Sequence, residues 1–360
     1  MNIPFFDIRF SKEDRLALDR AYNRVIKSGN FVKGEEQQNL EKEISEFLKS
    51  PFVLAVGNGY DALYVILKLI SDQSLNVLLQ ANAFPATVNA VLNAGHQVVF
   101  ADIDFLGDGF KDLNDDFYTA NRIDLVMAIH YFGSVNKIID NLPDSIALIE
   151  DFSQAFGTTI KNKQLGTFGI AAAASLYPTK NLGALGDAGI ICTSDKRLFE
   201  KAKMYCNYGQ SEYNNMHFSG VNSRMDEIQS AFLREALHNI SQKLNEQRKI
   251  AISYFEGLKD IPELILPLSG PGESTFHQFT IKTEKRDELK AYLSKNGIST
   301  KIHYPNPLFD QKAYQKLNFS TIDKQNTRKW HDSILSLPSF PGLMPSELDF
   351  IVEKIKSFYS

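Results

Sequence analysis

Ile146-Ala147-Leu148-Ile149-Glu150-Asp151-Phe152-Ser153-Gln154-Ala155-Phe156-Gly157 reads as a buried strand that runs out into two carboxylates and a polar turn. Working outward, short apolar runs at 76–79, 97–101 and 124–129 also read as strands. Helical patterns separate them, at 61–70, where Leu63, Leu67 and Ile70 recur at helical spacing, and at 86–94. This alternation predicts an α/β fold built on a parallel sheet. Parallel sheets place ligands just beyond the carboxyl ends of their strands, so Asp151 is positioned to face a site. The plainer alternative is a helix N-cap or a surface ion pair.

Farther along, Ser223 with Asp226 three residues later looks like a capping-box start for a helix whose apolar face is Met225, Ile228, Phe232 and Leu233. From about Gln247 the elements become fewer and longer: a strand at 276–283, a helix at 285–295 stopped by Gly297, a strand at 298–303 and a helix at 347–358. The expected organisation is a large α/β domain over 1–246 and a small α+β domain over 247–360. A chain of 360 residues, 43% of them hydrophobic, has ample material for two such cores.

The charge balance is 39 basic against 43 acidic residues, a net −4, so no broad cationic field exists to hold nucleic acid or an anionic membrane. The start carries no basic region followed by an apolar one, and no later run approaches a membrane span, so a soluble, cytoplasmic protein is expected. Cys192 and Cys206 lack ligand spacing and read as packing residues. His130 and His303 each end a predicted strand without a second ligand nearby, so no metal site is expected.

The segment Ala171-Ala172-Ala173-Ala174-Ser175-Leu176-Tyr177-Pro178-Thr179-Lys180-Asn181-Leu182-Gly183-Ala184-Leu185-Gly186-Asp187-Ala188-Gly189 crowds small residues around one lysine. Glycines there permit close backbone approach, and lysine is rare in such company unless its amine is needed. Desolvation would lower its pKa and free the neutral amine for Schiff-base chemistry. A solvated loop lysine is the bland alternative. The glycines fall at every third position, which is not the dinucleotide-binding fingerprint.

These two segments, with Val56-Gly57-Asn58-Gly59-Tyr60-Asp61-Ala62-Leu63 and Gly220-Val221-Asn222-Ser223-Arg224-Met225-Asp226-Glu227-Ile228-Gln229, closely resemble the DegT/DnrJ/EryC1/StrS sugar aminotransferases, in order and along almost the whole chain. The resemblance implies a fold type I pyridoxal-phosphate-dependent transferase, aspartate-aminotransferase-like, with a large mixed-sheet α/β domain and a small α+β one. It implies that Lys180 holds pyridoxal 5'-phosphate as a Schiff base and then shuttles the substrate proton. Asp151 would pair with the pyridine nitrogen and keep it protonated, because an adjacent opposite charge favours the charged form. Gln154 would pack on the ring and Phe84 lay its aromatic face on it. The phosphate would meet the backbone at Gly59 and Tyr60, the Ser175 hydroxyl and, from the neighbouring subunit, Asn222. The family commonly carries threonine where Tyr60 stands, so only backbone donation is expected there.

Tyr177, Arg224, His303 and Tyr304 are the implied substrate contacts; packing and a surface ion pair are the bland readings of Tyr177 and Arg224. The implied reaction transfers an amino group from glutamate to a nucleotide-linked keto sugar, within a homodimer with shared active sites. The loops at Gly57-Asn58-Gly59-Tyr60-Asp61 and Ile302-His303-Tyr304-Pro305-Asn306-Pro307 look most like the branch acting at C3 of dTDP-linked 3-keto-6-deoxyhexoses, as in surface-glycan synthesis. A C4 aminotransferase is the main alternative. Sugar dehydratases of the same family replace the lysine by histidine, against which Lys180 argues. A cofactor-binding regulator would need a DNA-reading basic helix, and neither terminus supplies one.

Overall fold

The computed structural model describes residues 1–111, 113–267, 274–317 and 323–360. Its centre is a seven-stranded sheet. In chain order the strands are β1 (Phe52–Val56), β2 (Asn76–Gln80), β3 (Gln97–Ala101), β4 (Leu125–Ile129), β5 (Ala147–Asp151), β6 (Ala171–Ser175) and β7 (Gly189–Thr193). Their spatial order is β1-β7-β6-β5-β4-β2-β3. Neighbours from β6 to β3 are parallel, whereas β7 runs antiparallel to both β6 and β1. The sheet is therefore mixed, and the parallel pattern describes five of its strands.

Both faces are covered, which is why strands such as Leu125–Ile129 are apolar throughout rather than alternating. On one side lie helices α3 (Gly59–Ile70) and α4 (Pro85–Ala94), with Val65, Ile66, Val88 and Val91 in the core. On the other lie α1 (Lys12–Ser28), α2 (Glu35–Leu48) and α6 (Glu227–His238), of which α2 and α6 bury Leu40, Ile44, Leu233 and Leu237 together, whereas α5 (Lys196–Tyr205), which flanks β1, packs with α3 on the first side through Leu198, Ala202 and Tyr205. A third core holds β8 (Phe279–Lys282) paired antiparallel with β9 (Ile334–Leu337), together with helices Arg286–Lys295 and Pro345–Tyr359.

The long helix Ile240–Leu258 joins these regions. Ile240 and Leu244 pack in the second core, while Ile250, Ala251, Tyr254 and Leu258 pack in the third, so one helix crosses the expected 246/247 boundary. Ile3 also enters the third core and bridges to Ile298.

Three local expectations are corrected. The helix expected at Ser223 starts at Glu227, with Asp226 as a cap residue that makes no side-chain cap bond. Ser223 is engaged elsewhere, as described below. Glu227 instead caps a different helix: its buried carboxylate accepts the amides of Gly34, Glu36 and Gln37 at 2.8, 2.9 and 3.1 Å, satisfying the orphan donors at the start of α2. The stretch 298–303 makes only single bridges, Ile298 to Ile3 and Lys301 to Ser336 of β9. The strand expected over 276–283 narrows to Phe279–Lys282, the four residues that face β9.

Candidate active site

β5 delivers two carboxylates to opposite faces of the sheet, as the two-residue period of a strand requires. Glu150 points into the interior, where it accepts the amides of Gly166, Phe168 and Gly169 at 2.8, 2.7 and 3.0 Å and meets His130 Nε2 at 3.3 Å. Burial opposes its ionisation, but His130 and these amides outweigh burial and hold the carboxyl below its usual range. His130, with no exposure, is thus a packing residue beneath the sheet. Asp151 reaches the other face, where Oδ2 accepts from Thr87 Oγ1 at 3.2 Å and Oδ1 from the Ser153 amide at 3.1 Å.

Lys180 sits in the turn after β6, its amide donating to the Tyr177 carbonyl at 2.8 Å. Gly183 permits that turn, since a Cβ there would lie 2.5 Å from the Pro178 oxygen. Burial pushes the Lys180 amine down to about 8, against an opposing pull from the Asp151 charge. The amine and the carboxylate, 29 positions apart in the chain, are therefore close enough for their charges to act on one another.

Beside them, α3 opens toward β6. Asn58 caps the helix by accepting from the Asp61 amide at 2.8 Å, and the amides of Gly59 and Tyr60, in the first turn, have no intrahelical acceptor. A Cβ on Gly59 would stand 2.6 Å from Ser175 Cβ, and one on Gly189 would stand 2.3 Å from the Asn58 carbonyl carbon, so only glycine brings helix and strand this close. The Ser175 hydroxyl accepts from the Tyr177 amide at 3.3 Å and keeps its own proton to give. The Tyr60 hydroxyl is bound by Asn93 Nδ2 at 2.6 Å, leaving only its backbone to the cradle. Ser223 stabilises this corner by accepting from the Gly57 amide at 3.0 Å and donating to Asp61 Oδ2 at 2.6 Å.

An aromatic wall closes the cleft. Phe84, which precedes Pro85 at the start of α4, is 44% exposed, and its ring centroid lies 5.0 Å from that of Tyr304. Gln154 accepts from the Phe132 amide at 3.0 Å and donates to the Tyr304 hydroxyl at 3.1 Å. Burial and the Asp151 charge push that hydroxyl up to about 12, past the lowering effect of Gln154, so it stays protonated. His303 lies beside it, Nδ1 2.9 Å from Ser336 Oγ, and is pushed down to about 4 by burial, then by Lys301 and Lys180. A cleft of about 590 Å³ opens against Phe84, Tyr304, Asn306, Lys312 and His331. His331 Nδ1 is 2.6 Å from the Tyr304 carbonyl and braces it.

The remaining expected residues lie at the margin. Tyr177 is half exposed, and Asn222 is exposed next to Ser223. Arg224 is engaged by Asn207 Oδ1 at 3.3 Å and stacks over Tyr208 at 5.7 Å. Thr87, Ser223, Gln278 and His277 belong to the site's surroundings without having been expected as site residues; Ser223 reads from the sequence as a helix cap. Among the described residues no cluster of three or more His, Cys, Asp or Glu could hold a metal ion, both cysteines are buried and free, and no helix is long and apolar enough to cross a membrane.

The model of the DegT/DnrJ/EryC1/StrS aminotransferase family matches residues 13–356. The chain belongs to that family. Among relatives of this DegT/DnrJ/EryC1/StrS aminotransferase, the "Pleiotropic regulatory protein" of Geobacillus stearothermophilus is 32% identical over 100% of this chain and 99% of its own. The dTDP-3-amino-3,6-dideoxy-alpha-D-galactopyranose transaminase of Aneurinibacillus thermoaerophilus is 31% identical over 99% of each chain. In structure, DesV of S. venezuelae, solved in complex with a ketimine intermediate, superposes with a TM-score of 0.93 at 29% identity, covering 100% of this chain and 99% of that one.

The family's cofactor is pyridoxal phosphate, and the residues present fit it. The glycine-lined corner at Gly59 and Ser175 offers two helix-start amides and a hydroxyl, the donor set a dianionic phosphate needs in a chain without a basic groove. A lysine with a lowered pKa and a carboxylate with spare acceptor capacity would suit the cofactor's aldehyde and ring nitrogen. The chain is a pyridoxal-phosphate-dependent aminotransferase.

Proposed function

We propose that this enzyme moves an amino group from glutamate to C3 of a dTDP-linked 3-keto-6-deoxyhexose, as a cytoplasmic homodimer whose sites are completed by Asn222 of the second subunit. The observation that carries the reading is the Lys180 amine, lowered by burial and lying within the field of Asp151; a cleft of about 590 Å³ opens against Phe84 and Tyr304, room for a sugar. The substrate class is supported by the Aneurinibacillus relative, whose name is that of a dTDP-3-amino sugar transaminase.

Pyridoxal phosphate, when bound, supplies the electron sink and carries the nitrogen between the two half-reactions. The amides of Gly59 and Tyr60 with the Ser175 hydroxyl would hold its phosphate. The Asp151 carboxylate would pair with the pyridine nitrogen and favour its protonated form, its direction fixed by Thr87 and the Ser153 amide. Lys180 Nζ takes the proton from the donor's α-carbon and later delivers one to the sugar carbon that receives nitrogen; an amine near 8 does both at neutral pH. Phe84 and Gln154 would pack against the ring, and neutral His303, protonated Tyr304 and Tyr177 would meet the sugar. Arg224 lies near enough to the Asn222 segment to serve the diphosphate, for which a guanidinium fork is suited.

The purified protein, given glutamate and a panel of C3- and C4-keto nucleotide sugars, should place a new amine at C3 of the dTDP-linked substrate, read by NMR. An amine at C4 would assign the rival branch. No turnover on any keto sugar would favour a regulatory role, the one that the Geobacillus relative's name suggests. Site sharing has its own check. Mixed Lys180→Ala and Asn222→Ala protomers should regain roughly a quarter of wild-type activity, the share expected if one intact site forms in each hybrid dimer and half the dimers are hybrids. No recovery despite proven subunit exchange would place Asn222 outside the partner's site.

A further inference from the structure

Residues 274–278 lie flush on the loop that follows β4. A Cβ on Gly133 would stand 2.6 Å from the Phe276 amide nitrogen and 2.7 Å from Thr275 Oγ1. Thr158 ties the two together, its Oγ1 donating to the Gly133 carbonyl at 2.8 Å and lying 3.1 Å from Thr275 Oγ1. This packing buries His277, leaving it 4% exposed beside Asn181, the residue next to Lys180 in the chain.

The hydrogen bonds determine which ring nitrogen carries the proton. Asn181 Nδ2 donates to the Phe156 carbonyl and to Thr275 Oγ1, each at 3.0 Å. Its Oδ1 is left as the acceptor, 3.0 Å from His277 Nδ1, so Nδ1 bears the hydrogen. The ring is neutral, because burial first, then the charges of Lys180 and His303, hold it well below its ordinary pKa. A neutral imidazole with its proton on Nδ1 offers a lone pair at Nε2, which has no protein partner among the described residues. The neighbouring His303 cannot play this part, since Ser336 Oγ faces its Nδ1 at 2.9 Å and Gln278 Nε2 its Nε2 at 3.4 Å. The nearby group with protons to give and freedom to move is the Lys180 amine, whose charge already acts on His277.

We propose that His277 is a positioning residue for Lys180: its Nε2 accepts a hydrogen bond from the Lys180 amine whenever that amine is released from the cofactor, and holds it where it exchanges protons with the substrate. The proposal rests on Lys180 being the cofactor-binding lysine. Asn181 thus acts at one remove, by locking the tautomer that leaves the lone pair on the correct side.

The test is a titration of the holoenzyme with methylamine, which competes with Lys180 for the cofactor's aldehyde and is read by visible absorbance without turnover. Two variants separate the roles. In His277→Asn the amide overlays Nδ1, keeping the contact to Asn181 but losing the Nε2 acceptor; in His277→Gln an amide oxygen reaches the Nε2 position. Methylamine should displace Lys180 about five-fold less readily in H277N, the worth of one neutral hydrogen bond to the freed amine. The kcat of H277N should fall at least as far with KM for the sugar unchanged, and H277Q should recover most of both losses. Equal displacement in H277N and wild type would overturn the proposal. So would equal impairment of both variants with a matching drop in unfolding temperature, which is what mere packing predicts. A wild-type enzyme whose absorbance ignores methylamine would instead remove the Lys180 reading itself, and this proposal with it.

Discussion

Lys180→Ala should yield a folded protein that shows no visible absorbance of lysine-bound cofactor and has lost up to about four orders of magnitude in transamination rate, the upper range for removing a positioned acid–base group. The fold should survive because the turn is held by the backbone, through the Lys180 amide on the Tyr177 carbonyl and the glycine at 183. Deleting the buried amine also removes a desolvation cost, which offsets part of the packing lost with the side chain's methylenes. Absorbance spectra and single-turnover rates on the same preparation decide the matter, and normal turnover in the variant would end the case for this lysine.

Asp151→Asn should be as well folded and nearly as damaged. Asparagine has the same shape, and its amide oxygen can still accept from Thr87 Oγ1 or the Ser153 amide, so the end of β5 should keep its geometry. What it lacks is the charge that, on the proposed reading, would keep the ring nitrogen protonated. The expected loss is about 4 kcal/mol of stabilisation of the carbanion, about a thousand-fold in the proton-transfer step. A primary isotope effect on the donor's α-hydrogen should grow as that step becomes limiting. Rates within a few-fold of wild type would show that another group protonates the ring.

Much of this site was legible because its chemistry is carried by residues close in sequence. Glu150 and Asp151 end one apolar run, and β3 spans 97–101 as its pattern indicates, because a fully buried strand must be apolar at every position. The lysine stood out through its alanine and glycine neighbours; among them Gly189 of β7, with Ser175 of β6 against Gly59, lets the start of α3 approach the sheet closely. What escaped depends on long-range pairing. Nothing in the residues of Gly189–Thr193 says that the strand enters antiparallel between β1 and β6, since apolarity carries no direction. Ser223 looked like a cap because the local pattern permits one; Gly57 and Asp61, more than 160 positions earlier, are what claim its hydroxyl. Glu227 serves amides about 190 positions away, and His277 takes its tautomer from Asn181, 96 positions upstream.

The helix Ile240–Leu258 has a consequence for how this protein can be taken apart. Its first turns are rooted among Leu233 and Leu237 of the sheet region, and its later ones among Phe279 and Leu335. A cut between 246 and 247 would fall inside one continuous spiral of backbone hydrogen bonds and strand an apolar stripe on each fragment. The seam between the two halves is a shared girder rather than a tether, so the smallest piece that keeps both cores intact is very nearly the whole polypeptide, Ile3 included.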